Sequence, residues 1–200
     1  MEILLPPDLS GKRSPLPPAS RSLTIIGANG AGKTRFSLYM AEGLGEKAFR
    51  LSALKAIYAT GEPKEEPGTV DGIYVKARQS PSFLTNTAST TFDRLTALLL
   101  NEEIASLVEY KMAQTKVAAG RRDAAIAPTT KLDEVIARWQ EIFPSNQVLR
   151  QGGRLLFARD GQDDRYSQVR LSDGEKAVLY YFGALLYAPR NAVVFVDSPE

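Results

Sequence analysis

The chain has 200 residues, of which 44% are hydrophobic and 24% charged, and its formal net charge is +2. This composition fits one folded domain with a sizeable core, and the small net charge excludes the strongly basic character of a dedicated nucleic-acid-binding domain. Because the chain contains no cysteine and no histidine, it has no disulfide framework, no thiolate or imidazole metal ligands and no histidine acid–base chemistry.

The N-terminal apolar run, residues 1–7, is too short for a signal peptide. No apolar stretch approaches the roughly 20 residues that are needed to span a bilayer. We therefore expect a cytoplasmic protein that has no membrane partner.

The first quarter of the chain predicts a strand–loop–helix unit. Residues 6–22, rich in Pro, Ser and basic side chains, indicate an extended segment on the surface. Residues 23–26 are apolar and β-branched, which predicts a short buried strand. After a Gly-rich loop, residues 35–44 predict a helix that Gly45 ends.

The middle of the chain is predicted to be mainly helical. Residues 72–77 predict a strand, residues 91 to about 116 a long helix, and residues 132–143 a helix that contains the only tryptophan, Trp139. We interpret Trp139 and the apolar face of the long helix as core rather than as cofactor contacts. That face consists of Leu95, Leu98, Leu99, Ile104, Leu107, Val108 and Met112. Residues 83–143 are predicted to be a helical insertion within a single domain, residues 1–200.

The last third predicts strands, one helix and a final strand. The strands are predicted at residues 147–149, 154–158 and 166–171, and the helix from Asp173 to about Tyr187. Residues 192–196 form a continuous apolar run of the kind that is buried on both faces of a sheet. The order of elements indicates an α/β core with a helical insertion.

The Gly-rich loop matches the pattern G-x-x-x-x-G-K-[ST], and its residues are Gly27, Ala28, Asn29, Gly30, Ala31, Gly32, Lys33 and Thr34. Glycines let such a backbone wrap closely around phosphates, and the N–H groups of the following helix, which begins near Arg35, face the anion. Lys33 would reach the β- and γ-phosphates, and the Thr34 hydroxyl would ligate Mg²⁺. A chance Gly-rich turn is the alternative, but the predicted strand before the loop and the helix after it favour phosphate binding.

Two further motifs follow late in the chain. Leu171, Ser172, Asp173, Gly174 and Glu175 precede the predicted helix, and by themselves they are explained by a capping box between Ser172 and Glu175. Asp197 ends the last apolar strand, which is the Walker B form, in which the carboxylate holds Mg²⁺ opposite the threonine of the loop.

In this order the three motifs resemble those of the ATP-binding cassette ATPases, and the residues after Asp197 resemble the soluble branch. That branch includes SMC-like and RecF-like heads and the ATPases of overcoming-lysogeny-defect nucleases. The resemblance implies a P-loop NTPase fold with ATP and Mg²⁺ as cofactors. It also implies a head-to-tail homodimer, in which Ser172, Gly174 and Glu175 of one copy cap the ATP on the loop of the other. Gln79 would contact Mg²⁺ and the attacking water. DNA, or an attached effector domain, would be the partner in DNA maintenance or anti-phage defence.

This sequence departs from the family in three respects. Ser198 stands where the family usually has a glutamate after the Walker B aspartate, and a hydroxyl is a poor general base; Glu200 is the candidate substitute. The sequence ends just after the Walker B strand, so we expect it to be the N-terminal part of an ATPase domain. Residues 1–26 contain no aromatic side chain to stack on adenine, so ATP is implied by the family alone.

Three functions therefore remain open: an ATPase that works a partner, a nucleotide-sensing module that hydrolyses little, and a monomeric P-loop kinase or other NTPase. Phosphate contacts with a nucleic acid would come from scattered basic residues, which are otherwise explained as solvated surface charges. They are Lys12, Arg13, Arg121, Arg122 and Lys131.

Overall fold

The fold is mixed α/β, with a small parallel sheet, a small antiparallel sheet and six α-helices among the residues that the structure describes. The computed structural model describes residues 3–16, 22–61, 66, 68–79, 90–118 and 126–197. In chain order the elements are α1 (Lys33–Leu44), β1 (Ala48–Leu51), α2 (Ala53–Tyr58), α3 (Val70–Arg78), α4 (Thr91–Ala118), α5 (Lys131–Ile142), β2 (Asn146–Gln151), β3 (Arg154–Arg159), β4 (Tyr166–Ser167), α6 (Asp173–Leu185) and β5 (Val193–Val196). Over those ranges, none of the helices combines the length and the apolar character that a membrane crossing requires.

The parallel sheet consists of β1 and β5, which come from opposite ends of the described chain. Ala48 lies opposite Val193 and Leu51 opposite Val196, and α1 packs against both strands. The Asp197 N–H donates to the Leu51 carbonyl at 2.9 Å, so the pairing continues one residue beyond β5. Because parallel strands end at the same edge of a sheet, Asp197 lies beside the start of α2.

The antiparallel sheet has the order β2-β3-β4, and it confirms two of the predicted strands. Between β2 and β3 the turn contains Gly152 and Gly153 with φ of 60° and 71°, the conformation that a two-residue hairpin requires. The strand predicted at residues 166–171 is shorter than expected, because the chain enters a 3₁₀ turn at Gln168–Arg170 after β4.

The core is formed where α4, α5 and α6 pack together with β1 and β3. Trp139 is fully buried and contacts the rings of Phe143 and Phe157. This confirms the interpretation of Trp139 as core, and α4 and α5 confirm the two predicted helices. Both helices share one core with β1 and α6. This shared core does not distinguish residues 83–143 as a separate insertion, so the insertion stays a prediction.

Only the first half of the predicted apolar face of α4 is buried. Three leucines are almost completely buried, as expected: Leu95, Leu98 and Leu99. The other four residues of that face are exposed, so for these the core interpretation is wrong: Ile104, Leu107, Val108 and Met112. Periodicity identifies the apolar face of a helix, but it does not reveal how far other elements cover that face.

The strand predicted at residues 23–26 is not formed. These residues have no regular secondary structure, and Ile26 is 92% exposed. In the described part of the chain β5 pairs only with β1, and the side chains of Val194 and Val196 are partly exposed. The expectation that residues 192–196 are buried on both faces is therefore wrong, although the strand itself is confirmed. An apolar run predicts a strand, but burial of its side chains depends on the elements that cover the two faces of the sheet.

The strand predicted at residues 72–77 is also wrong, because this segment lies within α3. The Thr69 hydroxyl caps the helix by accepting the Gly72 N–H at 3.1 Å. Val70 and Tyr74, four residues apart, are both buried on one face. Cap and packing therefore override the β propensity of Ile73, Tyr74 and Val75.

Candidate functional site

The Gly-rich loop, residues 27–34, is a tight backbone turn that runs into α1. The Ala31 N–H donates to the Ala28 carbonyl at 3.1 Å. Gly30 and Gly32 have φ of 81° and 86°, in the left-handed region that side chains rarely adopt. At Gly27 a Cβ would lie 3.3 Å from the Ala31 Cβ. Glycine at position 32 thus permits the backbone conformation of the turn, and glycine at position 27 leaves room for the Ala31 side chain.

The N-terminus of α1 differs from those of the other long helices with a defined cap. Gly32 provides no side-chain cap, and the first turn of α1 contains no acidic residue. By contrast, the side chains of Thr69, Thr130 and Ser172 cap α3, α5 and α6. The first N–H groups of a helix have no partner within the helix and carry partial positive charge. The N-terminus of α1 therefore suits an anion.

Lys33 folds back over the loop. Its ammonium group donates to the carbonyl oxygens of Gly27 at 2.7 Å and Ala28 at 3.0 Å. Because an ammonium group has three donors, one donor is left for a ligand. Lys33 thus closes the loop and adds a positive charge at its opening.

Thr34 and Asp197 meet at the edge of the parallel sheet. The Thr34 hydroxyl lies 3.5 Å from Asp197 Oδ2, although 163 residues separate the two in sequence. The bond from the Asp197 N–H to Leu51 fixes the backbone beneath this carboxylate. Lys55 approaches the same oxygen to 3.7 Å.

A hydroxyl and a carboxylate are the oxygen ligands that Mg²⁺ accepts. Within the described ranges no group of three or more acidic side chains could hold a metal by itself. A metal at Thr34 and Asp197 would therefore depend on oxygens from phosphate or water. This is how Mg²⁺ usually binds, since it keeps several waters and uses few carboxylates. The residues present fit a magnesium–phosphate complex.

The second motif forms the predicted capping box at the start of α6. The Glu175 N–H donates to the Ser172 hydroxyl at 3.3 Å. The Ser172 N–H and hydroxyl both donate to Glu175 Oε2 at 2.8 Å. The hydroxyl proton of Ser172 is thus used within the loop, and the loop can offer an anion its backbone N–H groups at Asp173 and Gly174.

Distant residues hold this loop in place. Asn146 donates to Glu175 Oε1 at 2.8 Å, and Trp139 donates to the Glu175 carbonyl at 3.1 Å. Tyr58, at the end of α2, donates from its hydroxyl to the Asp173 carboxylate. The sequence motifs did not reveal these contacts, because each partner lies on an element far away in sequence.

Burial raises the pKa of Glu175, but hydrogen bonds from Ser172 and Asn146 outweigh burial and leave the pKa below its usual value. Glu175 is therefore ionised at neutral pH, and both of its oxygens are engaged with protein donors. Its geometry is that of a residue that positions Ser172, rather than one that contacts a ligand.

The remaining predicted site residues make none of the contacts described above or lie outside the described residues. Gln79 is the C-cap residue of α3, directly after Arg78, so it follows a helix rather than the expected strand. In the described hydrogen bonds its side chain contacts neither Thr34 nor Asp197. Arg35 is exposed in the first turn of α1, and Asn29 is exposed at the loop tip. Glu200 lies outside the described residues, as does Ser198.

Two of the basic residues proposed for nucleic-acid contacts interact within the protein. Lys131 pairs with Glu102 at 3.1 Å and lies 3.9 Å from the centre of the Tyr187 ring. Arg13 lies 5.9 Å from the ring centre of Tyr39. Two others, Arg121 and Arg122, lie outside the described residues.

Comparison of the chain with protein-family models, curated proteins and solved structures finds no match in any of the three.

Proposed function

We propose that this protein binds Mg²⁺ and ATP at the loop of residues 27–34, and that it is a P-loop ATPase of the cassette type. The observation that carries the proposal is the meeting of the Thr34 hydroxyl and the Asp197 carboxylate beside the N-terminus of α1. Two motifs that were identified independently in the sequence thus supply the two protein ligands that a phosphate-bound magnesium ion requires.

Each residue of the site has a distinct role in this proposal. The backbone of Gly30, Gly32 and the first turn of α1 binds the phosphates, and the remaining donor of Lys33 adds a charge-assisted hydrogen bond. Thr34 and Asp197 hold the metal. Bound Mg²⁺ neutralises the charge of the phosphates and makes the terminal phosphate easier to attack.

The proposal extends to a head-to-tail homodimer, in which the loop of residues 171–175 caps the nucleotide of a second copy. The exposure of Ser172, Asp173 and Gly174 supports it, because a contact between copies needs this helix N-terminus on the surface. Glu175 would hold Ser172 in place, and the N–H groups of Asp173 and Gly174 would face the phosphate. DNA, or an attached effector domain, as the partner in DNA maintenance or anti-phage defence rests on the family resemblance alone.

Two alternatives each have one favourable observation. Ser198 follows Asp197 in the sequence, which favours a nucleotide-sensing module that binds ATP and hydrolyses little. The capping box is complete within one chain, which favours a monomeric kinase or NTPase, in which residues 171–175 only begin a helix.

Light scattering of the protein with and without Mg²⁺ and ATP separates these functions, with Lys33→Ala as the control that weakens phosphate binding. We expect the mass to double with ATP in the original protein and to stay constant in Lys33→Ala. Ser172→Arg, which places a bulky side chain in the cap, is expected to bind ATP as a monomer. A monomer that binds ATP regardless of these changes would contradict the dimer, and release of phosphate distinguishes an ATPase from a sensor.

A further inference from the structure

Lys55 lies on the metal side of the candidate site, although no sequence motif includes it. Its ammonium group is 3.7 Å from Asp197 Oδ2, the same oxygen that lies 3.5 Å from the Thr34 hydroxyl. A cation and a hydroxyl thus converge on one carboxylate oxygen, at the position where a magnesium ion would bind.

The fold fixes the position of Lys55. After β1 ends at Leu51, the chain enters α2 through Ser52. Three residues of α2 are buried in the core, namely Ala53, Ala56 and Ile57. Lys55 lies on the other face of this short helix, and 64% of its side chain is exposed. Its backbone is therefore anchored, while its long side chain can leave Asp197 at little cost.

We propose that Lys55 is the counter-ion of Asp197 in the metal-free protein, and that it yields this carboxylate to Mg²⁺ when the metal and nucleotide bind. Without a cation, Asp197 would repel a triphosphate that enters the loop. Lys55 neutralises that charge until the metal replaces it. Because ammonium and metal share one oxygen, Lys55 also competes with a metal ion that arrives without nucleotide. The inference rests on the proposed nucleotide site.

The proposal predicts opposite effects of Lys55→Ala on two affinities. Metal-free ATP should bind more weakly, since the neutralising charge is gone. Mn²⁺ without nucleotide should bind more tightly, since its competitor is gone. An exposed ion pair contributes up to about 1 kcal/mol, so each of the two affinities should change by about five-fold at most.

The first measurement is the ratio of the ATP dissociation constants in EDTA and in excess Mg²⁺. We expect Lys55→Ala to increase this ratio about two- to five-fold, whereas Lys55→Arg, which keeps the charge, leaves it within error of the original. Lys47→Ala is the matched control, because it removes a lysine just before the opposite end of β1. An equal increase in Lys47→Ala would mean that net charge alone is responsible, and would overturn the proposal.

The second measurement is Mn²⁺ binding to the nucleotide-free protein, followed by electron paramagnetic resonance. Tighter binding in Lys55→Ala than in the original protein and in Lys47→Ala supports the proposal. If ATP binds but neither the ratio nor the Mn²⁺ affinity changes, the role of Lys55 is wrong and the nucleotide site stands. If the original protein does not bind ATP at all, both proposals are wrong.

Discussion

Substitution of Glu175 by glutamine tests how the loop of residues 171–175 is held. In the structure the Glu175 carboxylate accepts three hydrogen bonds, two from Ser172 and one from Asn146, all at 2.8 Å. A glutamine has one acceptor oxygen. If that oxygen stays on Ser172, the amide nitrogen faces the Asn146 amide donor, and the charge is lost in either orientation.

The expected cost follows from these contacts. A hydrogen bond to a charged group contributes about 1.5–3 kcal/mol, and a helix N-cap about 1 kcal/mol. Since Glu175→Gln loses one bond and only weakens the cap, we expect a loss of about 2 kcal/mol in the free energy of unfolding. For a chain of this size that corresponds to a decrease in Tm of about 4–8 °C.

Urea unfolding followed by the fluorescence of Trp139 is the suitable assay, because Trp139 is the only tryptophan and donates a hydrogen bond to Glu175. Glu141→Gln is the control. It makes the same chemical change at an exposed position of α5, where we expect an effect within about 0.5 kcal/mol.

The pH dependence provides a second test of the same contacts. The pKa of Glu175 is lowered from the model-compound value of 4.5, so its ionised form stabilises the folded state above that pH. This contribution decreases as the pH falls through the folded-state pKa. The difference between the original protein and Glu175→Gln should therefore be largest at neutral pH and decrease below about 4.5. Equal stability of the two proteins at pH 7, or a difference that does not decrease in acid, would show that the Glu175 carboxylate does not hold the loop.

Two further substitutions, in α3 and just before it, test contacts that hold the fold together, both by urea unfolding. Asp71→Ala removes a carboxylate that lies 2.7 Å from the guanidinium of Arg94, a residue that is 4% exposed. We expect the free energy of unfolding to fall by about 2 kcal/mol, a value between those for a surface pair and a buried pair. Asp164→Ala, which breaks an exposed pair, should cost less than about 1 kcal/mol, and equal costs would contradict this account. Gly68 has φ of 80°, and Gly68→Ala places a Cβ 2.5 Å from a carbonyl oxygen of β1. We therefore expect the free energy of unfolding to fall by about 3 kcal/mol. Gly161→Ala, at φ of 75° in open space, should cost only about 1 kcal/mol; a similar loss in both would show that the contact with β1 contributes nothing.

The local motifs were predictable because each is contained in a few consecutive residues. The capping box of Ser172 and Glu175 forms as expected, and α1 begins at Lys33, within the last two residues of the loop pattern. The glycine pattern likewise predicts the tight loop, because φ values such as that of Gly32 favour glycine.

Long-range contacts were not predictable in this way. β1 was not predicted, since four residues with one charged side chain carry little periodicity. Without β1, it could not be inferred that Lys55 lies beside Asp197 or that Tyr58 contacts Asp173. The error at residues 72–77 has the same origin, because the buried side of α3 is determined by its contact with α4.

Equilibrium dialysis of the protein against ATP and Mg²⁺, beside Lys33→Ala, measures nucleotide binding at the loop of residues 27–34. We expect one ATP bound per chain and an affinity at least about ten-fold lower in Lys33→Ala, because one charge-assisted hydrogen bond is lost. We also expect Asp197→Asn to remove most of the dependence of ATP affinity on Mg²⁺. No binding by the original protein, or equal binding by Lys33→Ala, would contradict nucleotide binding at this loop.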